Sequence, residues 1–420
     1  MTASARPPSR RGFWVVAAVL GLFLTAASAP SPLYATYAAR WHFGPATITV
    51  IFAVYAIALL AVLLTTGSLS DSIGRRPVIL TALLIQSASM LLFVLADGVI
   101  WLYAARTLQG AATGLATAAV AAALIDLQPA ARPGLGPLVN AVTPTVGLAA
   151  GALAAGGLVQ YGPAPLRLVY ALLLAGFVLL VGAVAALPAV GTDRAPVSLR
   201  PRIRIEPAIR PAFWAVLPCL VATWALGGLY LSLGPSLILD LSGSGNRLLG
   251  GSIVFALCAA GALASFCLRD WPAARAMRCG CLLLLAGLAV TIAAVAAASS
   301  ILLFVGTLIA GAGFGSAFLG AFRSLAAQAS PGGRASLIAA IYVAAYLAFS
   351  LPAIAAGVLT THLGLRPATI GYAAVAAALA LTSLAATRRG TAAVLRRASP
   401  PTAAPAPPGH ASSSSEDQER

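Results

Sequence analysis

The chain has 420 residues, of which 60% are apolar and 9% are charged, and its mean hydropathy is +0.94. This composition excludes a soluble globular domain. The net charge of +16 comes from arginines that lie between hydrophobic runs and not on a basic face with interleaved aromatic residues, which excludes a nucleic-acid-binding protein.

Hydrophobic runs long enough to cross a bilayer follow one another along the chain, since about 20 apolar residues span about 30 Å of hydrocarbon. Twelve such runs lie at 13–36, 46–66, 77–96, 100–123, 136–159, 166–187, 213–239, 248–268, 279–298, 301–323, 336–360 and 367–386. The first run also has the form of a signal peptide, but its cleavage would leave eleven spans and break the repeat of the two halves. We therefore predict an all-α membrane protein with twelve transmembrane helices.

The domain organisation follows from the loops. An Arg- and Pro-rich stretch at 190–211 separates the sixth and seventh spans and is predicted to be a cytoplasmic linker. We predict an N-terminal cytoplasmic tail at 1–12, a six-helix half at 13–189, the linker, a second six-helix half at 212–389 and a disordered cytoplasmic tail at 390–420. The tail has too little apolar surface to fold.

The two halves repeat weakly in sequence, at an offset near 200 residues. The repeated pairs are Asp71 and Arg76 with Asp270 and Arg275, and Gly110 and Gly114 with Gly311 and Gly315. Such internal symmetry is typical of transporters that hold their substrate between two pseudo-symmetric halves.

Orientation is predicted from the arginines, which are enriched in cytoplasmic loops. With the N-terminus inside, 21 of the 26 basic residues lie on the cytoplasmic side and four on the outer side, and Arg106 lies within a span. We predict a multi-pass protein of the plasma (cell inner) membrane with both termini cytoplasmic.

The loop between the second and third spans combines glycines, which permit a tight reversal, with an acidic residue and an arginine pair that can anchor at headgroups. A purely topogenic hairpin is the alternative. The loop resembles the G-x-L-x-D-x-x-G-R-R/K motif of the major facilitator superfamily, which implies a gating role between the two halves. The matching residues are Gly67, Leu69, Asp71, Gly74, Arg75 and Arg76.

The fourth span carries a second match to that family, the R-x-x-Q-G-x-x-x-G pattern, at Arg106, Gln109, Gly110 and Gly114. An arginine inside a span costs about 3 kcal/mol to insert, so we expect it to face the bundle interior together with Gln109 and Thr113. Snorkelling to the outer interface is the alternative. In proton-coupled members of the family this arginine is linked to proton transfer, and the resemblance implies the same here.

The fifth span places Asn140, Pro144, Gly147 and Gly151 at near-helical spacing. It resembles the antiporter motif of the family in part, with Thr143 where a glycine is expected. A seam of small residues for close helix packing is the alternative, and Gly114, Gly311 and Gly315 are predicted to pack helices in the same way.

Further residues are candidates to line a substrate cavity, with helix packing or interfacial anchoring as the alternative for each aromatic ring. They are Tyr55, Gln86, Trp224, Tyr230, Tyr342, Tyr346 and Ser350.

The resemblance to twelve-span drug/proton antiporters favours proton-coupled efflux of small hydrophobic or amphipathic compounds by alternating access. All ten acidic residues fall at helix ends, in loops or in the tail, which disfavours cationic substrates. Metabolite uptake or facilitated diffusion is one alternative, and a non-transporting receptor or scaffold is another. The three scattered histidines argue against an enzyme. We predict no metal or cofactor and expect a proton gradient to be the energy source. We also predict that the protein is a monomer in the lipid bilayer and carries a small molecule.

Overall fold

The hydrophobic runs form long α-helices, because in hydrocarbon every backbone N–H and C=O must be bonded within its own segment. A computed structural model describes residues 10–66, 69–132, 134–187, 205–330 and 334–398. Its helices are α1 Arg10–Ser28, α2 Tyr34–Trp41, α3 Pro45–Thr66, α4 Leu69–Ile73, α5 Arg75–Leu95, α6 Val99–Asp126, α7 Leu135–Tyr161, α8 Leu168–Ala185, α9 Arg210–Ser232, α10 Gly234–Ser242, α11 Arg247–Cys267, α12 Ala273–Ala296, α13 Ser300–Ala326, α14 Arg334–Leu363 and α15 Leu365–Ala398. No β-strand occurs in these ranges.

Twelve helical segments among the described residues are long and apolar enough to cross a membrane, which confirms the predicted all-α fold with twelve spans. The last helix runs to Ala398, beyond the predicted span and into the stretch predicted to be a disordered tail from residue 390. Residues 399–420, residues 1–9 of the N-terminal tail and residues 190–204 of the predicted linker lie outside the described residues.

The first and seventh spans are each interrupted at a corresponding point. In the first, a short 3₁₀ helix at Ser31–Leu33 joins α1 to α2. In the seventh, α9 ends at Ser232 and α10 begins at Gly234, with Pro235 in its first turn. Both breaks lie next to prolines, which lack the backbone N–H that a continuous helix needs. The two halves therefore resemble each other in structure as well as in sequence.

Each half packs internally through pairs of long helices. In the N-terminal half α5 packs against α6 and α8, and in the C-terminal half α12 packs against α13 and α15. The α12–α13 pair is close because glycines face the neighbouring backbone: a Cβ at Gly287 would lie 2.3 Å from the amide nitrogen of Ala310. Small residues are the usual means of close packing in a bilayer, where apolar surface alone does not drive helices together.

The halves meet mainly through two helix pairs, namely α7 with α11 and α3 with α14. A Cβ at Gly251 of α11 would lie 2.3 Å from the carbonyl oxygen of Ala152, and a Cβ at Gly357 of α14 would lie 1.9 Å from the hydroxyl oxygen of Thr49. These contacts lie toward the end of the bundle where the loops at 162–167 and 243–246 are found. We call this end the sealed end.

Candidate translocation site

Arg106 lies on α6 with 1% of its surface exposed. Its Nη1 donates to the side-chain oxygen of Gln109 at 2.6 Å and to the backbone oxygen of Ala27 at 3.2 Å, while its Nε has no hydrogen-bond partner among the described residues. The side chain thus lies inside the bundle, as expected from its cost in lipid, and not at the outer interface.

Aromatic rings cover the guanidinium. Its central carbon lies 4.3 Å from the ring centroid of Tyr55 and 6.0 Å from that of Phe52, both on α3. A ring face attracts a cation by about 0.5–2 kcal/mol, more when water is absent. Every carboxylate whose side chain is described lies at a helix end or in a loop, namely those of Asp97, Asp126, Glu206, Asp240 and Asp270. Among the described residues, Arg106 therefore contacts aromatic rings and neutral oxygen acceptors, and no carboxylate serves as its counter-ion.

Gln109 fixes this arrangement from the same helix. Its amide nitrogen donates to the backbone oxygen of Ala26 at 2.8 Å, one residue from the carbonyl that Arg106 uses. Prolines at 30 and 32 end α1 nearby, and its last turn leaves carbonyls free to accept such bonds. Thr113 is buried, and its hydroxyl donates to the backbone of Gln109 at 2.8 Å.

Glycines let the helices around Arg106 approach closely. A Cβ at Gly110 would lie 2.2 Å from the carbonyl oxygen of Tyr55, and one at Gly114 would lie 2.4 Å from that of Leu59. The structure thus places both glycines against the backbone of α3, which brings Tyr55 over Arg106.

Aromatic residues continue from α3 into the C-terminal half. The Phe52 and Phe349 rings are 4.7 Å apart across the interface. The ring of Trp224 of α9 lies 5.4 Å from that of Tyr346 and 5.8 Å from that of Phe349. Its Nε1 is buried and has no hydrogen-bond partner in the ranges that the structure describes. We call Phe52, Tyr55, Trp224, Tyr346 and Phe349 the central aromatic cluster.

Sequence reasoning missed Phe52 and Phe349, although a signal was present. Phe52 lies three residues before Tyr55 and Phe349 three residues after Tyr346, so each pair shares a helix face. Both were missed because a phenylalanine in an apolar helix looks the same whether it faces lipid or a partner.

Other predicted cavity residues lie elsewhere. Tyr342 stacks on Tyr346 at 6.1 Å, and the Ser350 hydroxyl bonds back to the Tyr346 carbonyl. The Tyr230 hydroxyl lies 3.2 Å from that of Thr291 and also bonds Thr307, a packing contact inside the C-terminal half.

Gln86 and Asn140 are not brought to Arg106 by any bond in the described part of the chain. Gln86 of α5 is fully buried, and none of the described residues forms a hydrogen bond with either polar atom of its amide. Asn140 is half-buried on α7. The contacts that hold Arg106 come instead from α1, from α3 and from Gln109 of its own helix.

Two buried tyrosines close to Arg106 were also missed. Tyr34 and Tyr170 interact electrostatically with its guanidinium. Phenol oxygens of the N-terminal half thus lie around the buried cation.

The fifth-span glycines lie against α1. A Cβ at Gly147 would lie 2.9 Å from the carbonyl oxygen of Gly21, and one at Gly151 would lie 2.1 Å from that of Thr25. Pro144 lies inside α7. In the C-terminal half, Gly311 and Gly315 of α13 meet the backbone of α11 in the same way.

The loop motif lies at the end opposite the sealed end. Gly74 has a φ of 96°, a left-handed conformation that favours glycine, and it turns the chain between α4 and α5. Arg75 forms an ion pair with Asp126 at 3.3 Å and donates to Ser70 at 3.1 Å, while Arg76 donates to the Ala185 carbonyl. Leu69 begins α4.

Asp126 was not predicted as a partner, although it ends the fourth span on the side of this loop. Gly67 lies outside the described residues, and of Asp71 the structure describes the backbone alone. The other half has a related contact, in which Arg323 at the end of α13 donates to the carbonyls of Arg269 and Trp271.

A twelve-span bundle of two pseudo-symmetric halves, with a buried cation and aromatic rings at their interface, defines a membrane transporter. The family model described as Major Facilitator Superfamily matches residues 15–286. The chain therefore belongs to the major facilitator superfamily, and it is a secondary transporter and not an enzyme. No curated protein sequence matches the chain.

Solved structures share this fold at low sequence identity. A bacterial homologue of the human lysosomal transporter Spinster, in an inward-facing and unoccupied conformation, has a TM-score of 0.75 and 15% identity, covering 95% of this chain and 100% of that one. The peptide transporter POT in complex with sulfate has a TM-score of 0.71 and 14% identity, covering 92% and 97%. A nucleoside transporter, NupG, has a TM-score of 0.69 and 12% identity, covering 90% and 100%. At these identities the likeness is one of fold.

Proposed function

We propose that this transporter exports small hydrophobic or amphipathic compounds in exchange for protons, by alternating access between its two halves. The observation that carries the proposal is the gathering of inter-half contacts at the sealed end, where Gly251 lies on Ala152 and Gly357 on Thr49. An interface built from small residues can part and re-form without leaving large side chains unpacked.

The 3₁₀ helix in the first span supports the same motion. Ser31–Leu33 contacts α10 and α11 of the other half, so the break in the first span adds to the seal. If the arginine distribution sets the topology, the sealed end faces outward and the Arg75–Asp126 end faces the cytoplasm.

Proton coupling needs a group that can gain and lose a proton along the pathway. The described carboxylates lie at helix ends and in loops, so the candidates near Arg106 are tyrosine hydroxyls and acidic groups of the substrate itself. Resemblance to drug/proton antiporters supports antiport, and the departure at Thr143 weakens that support.

Transport by purified protein in proteoliposomes tests the proposal. A panel of fluorescent amphipathic compounds, neutral, anionic and cationic, would be offered to vesicles with an acidic lumen. Protein inserted with its cytoplasmic face outward should accumulate at least one compound, and an ionophore that collapses the pH gradient should abolish accumulation. Protein-free vesicles are the control.

The outcomes separate the alternatives. Equal equilibration with and without the gradient would point to a facilitated-diffusion carrier of the same fold. Accumulation driven in the opposite direction would point to uptake. Absence of flux for every compound would contradict the proposal.

Orientation is tested separately with alkaline phosphatase, which is active only outside the cytoplasm. We propose that both termini are cytoplasmic and that the protein lies in the plasma membrane. A fusion after Arg420 should be inactive and one within 162–167 active, and the reverse pattern would overturn the orientation.

A further inference from the structure

The central aromatic cluster and Arg106 together form a continuous group across the interface. Arg106 lies at one end under Tyr55, the rings of Phe52 and Phe349 meet in the middle, and Trp224 lies at the other end. Phe314 and Phe318 of α13 surround Trp224 at 6.4 and 5.5 Å. One end of the group is thus cationic and the rest is built from flat apolar rings.

Within the described part of the chain, two buried polar atoms of this group lack hydrogen-bond partners: Nε of Arg106 and Nε1 of Trp224. Both carry a hydrogen and can only donate. A buried donor without an acceptor is destabilising, because the loss of its hydrogen bonds to water is not compensated. What is missing from the group is therefore an acceptor, and not another donor.

The charge of the group points the same way. Arg106 is a permanent cation, and the described carboxylates nearest to it in sequence, Asp97 and Asp126, lie at or beyond the ends of α6. A cationic ligand would add repulsion where water is scarce, whereas an anionic ligand would supply the missing counter-charge.

The rings decide the shape of the ligand. When the two halves separate, the rings of Phe52 and Phe349 lose their contact with each other. A planar ring inserted between them gives each of the two rings a new aromatic contact. Aromatic pairs are stabilised beyond what the burial of their area provides. A saturated ring of the same size fills the space without that gain.

We propose that the transported compound is a planar aromatic molecule with one anionic group, such as an aromatic sulfonate or carboxylate. The anionic group lies beside Tyr55 and Arg106, and the ring lies between Phe52, Phe349 and Trp224. This inference rests on the proposed function and narrows its substrate to one chemical class.

Three probes that keep their charge at every working pH test the inference. They are benzenesulfonate, an aromatic anion; cyclohexanesulfonate, an aliphatic anion; and benzyltrimethylammonium, an aromatic cation. Binding to the purified protein in nanodiscs would be measured by calorimetry without any pH gradient. We expect benzenesulfonate to bind about tenfold more tightly than either other probe.

Variants locate the site. Trp224→Leu removes the ring and its N–H and should weaken benzenesulfonate binding about tenfold, and Trp224→Phe should weaken it less. Trp214→Leu is the matched control, because Trp214 lies on the same helix with 63% of its surface exposed and should leave binding unchanged. Arg106→Gln should remove the preference for the anion over the aromatic cation.

The wild-type comparison decides the inference even if a variant fails to fold. Equal binding of the aliphatic anion or the aromatic cation, or no binding of benzenesulfonate, would overturn it. Because this measurement uses no gradient, its failure is distinct from a failure of pH-driven export in proteoliposomes.

Discussion

Gly251 of α11 lies so close to Ala152 of α7 that a Cβ on the glycine would be 2.3 Å from the alanine carbonyl oxygen. No side chain fits at that distance without moving one of the helices. The two residues belong to different halves, so this contact requires the two halves to lie close together at the sealed end.

Gly251→Val should therefore hold the sealed end open. Spin labels on cysteines introduced at Tyr161 and Gly245, in a background without native cysteines, should report a longer inter-half distance than in the unsubstituted protein. Net transport should fall at least tenfold, because one of the two states becomes inaccessible.

Gly182→Val is the matched control, since a Cβ at Gly182 meets nothing within 4 Å. It should leave both the distance and the transport rate unchanged. An unaltered distance distribution in Gly251→Val would show that the sealed end does not depend on this contact.

Arg106→Lys should retain little transport, and Arg106→Ala none. Lysine keeps the charge but lacks the planar group that bonds Gln109 and Ala27 while its face lies under Tyr55. Initial rates would be normalised to membrane-inserted protein. Rates in Arg106→Lys equal to those of the unsubstituted protein would mean that charge alone is needed.

Gly114→Ala and Gly371→Ala should change thermal stability in opposite directions. A Cβ at Gly114 would lie 2.4 Å from the Leu59 carbonyl oxygen, whereas one at Gly371 of α15 meets nothing within 4 Å. Overpacking costs about 1–3 kcal/mol, while alanine in an open helical position gains up to about 1 kcal/mol over glycine. Unfolding of detergent-purified protein would measure both, and equal shifts would refute close packing at Gly114.

Arg75→Ala should slow transport several-fold with little loss of folded protein. Its ion pair with Asp126 is partly exposed, with 18% and 38% of the two side chains accessible, and such pairs contribute about 0.2–1 kcal/mol to stability. We expect the ion pair to affect the transport rate instead, because it joins the loop to the end of α6.

The double replacement Arg75→Asp with Asp126→Arg tests whether the pair itself matters. It should recover part of the rate lost in each single variant, as measured by initial uptake. No recovery, with both single variants still folded, would assign the effect to the Ser70 bond or to the loop backbone.

The sequence by itself determined the class and the fold of this protein. Runs of about 20 apolar residues must be helical in a bilayer, so twelve runs predicted twelve spans. The loop motif from Gly67 to Arg76 and the pattern beginning at Arg106 identified the family, because both depend on short spacings along one chain segment.

The tertiary structure alone decided which side chains meet. Phe52 and Phe349 are separated by nearly 300 residues, and neither sequence position differs from a lipid-facing phenylalanine. Asp126 joins Arg75 across the ends of α6 and α5, and Tyr55 covers Arg106 because Gly110 and Gly114 let the backbones of α6 and α3 approach closely. Such contacts depend on how helices rotate about their axes, and in an apolar helix with little amphipathic pattern that rotation is set by packing against neighbours rather than by the local sequence.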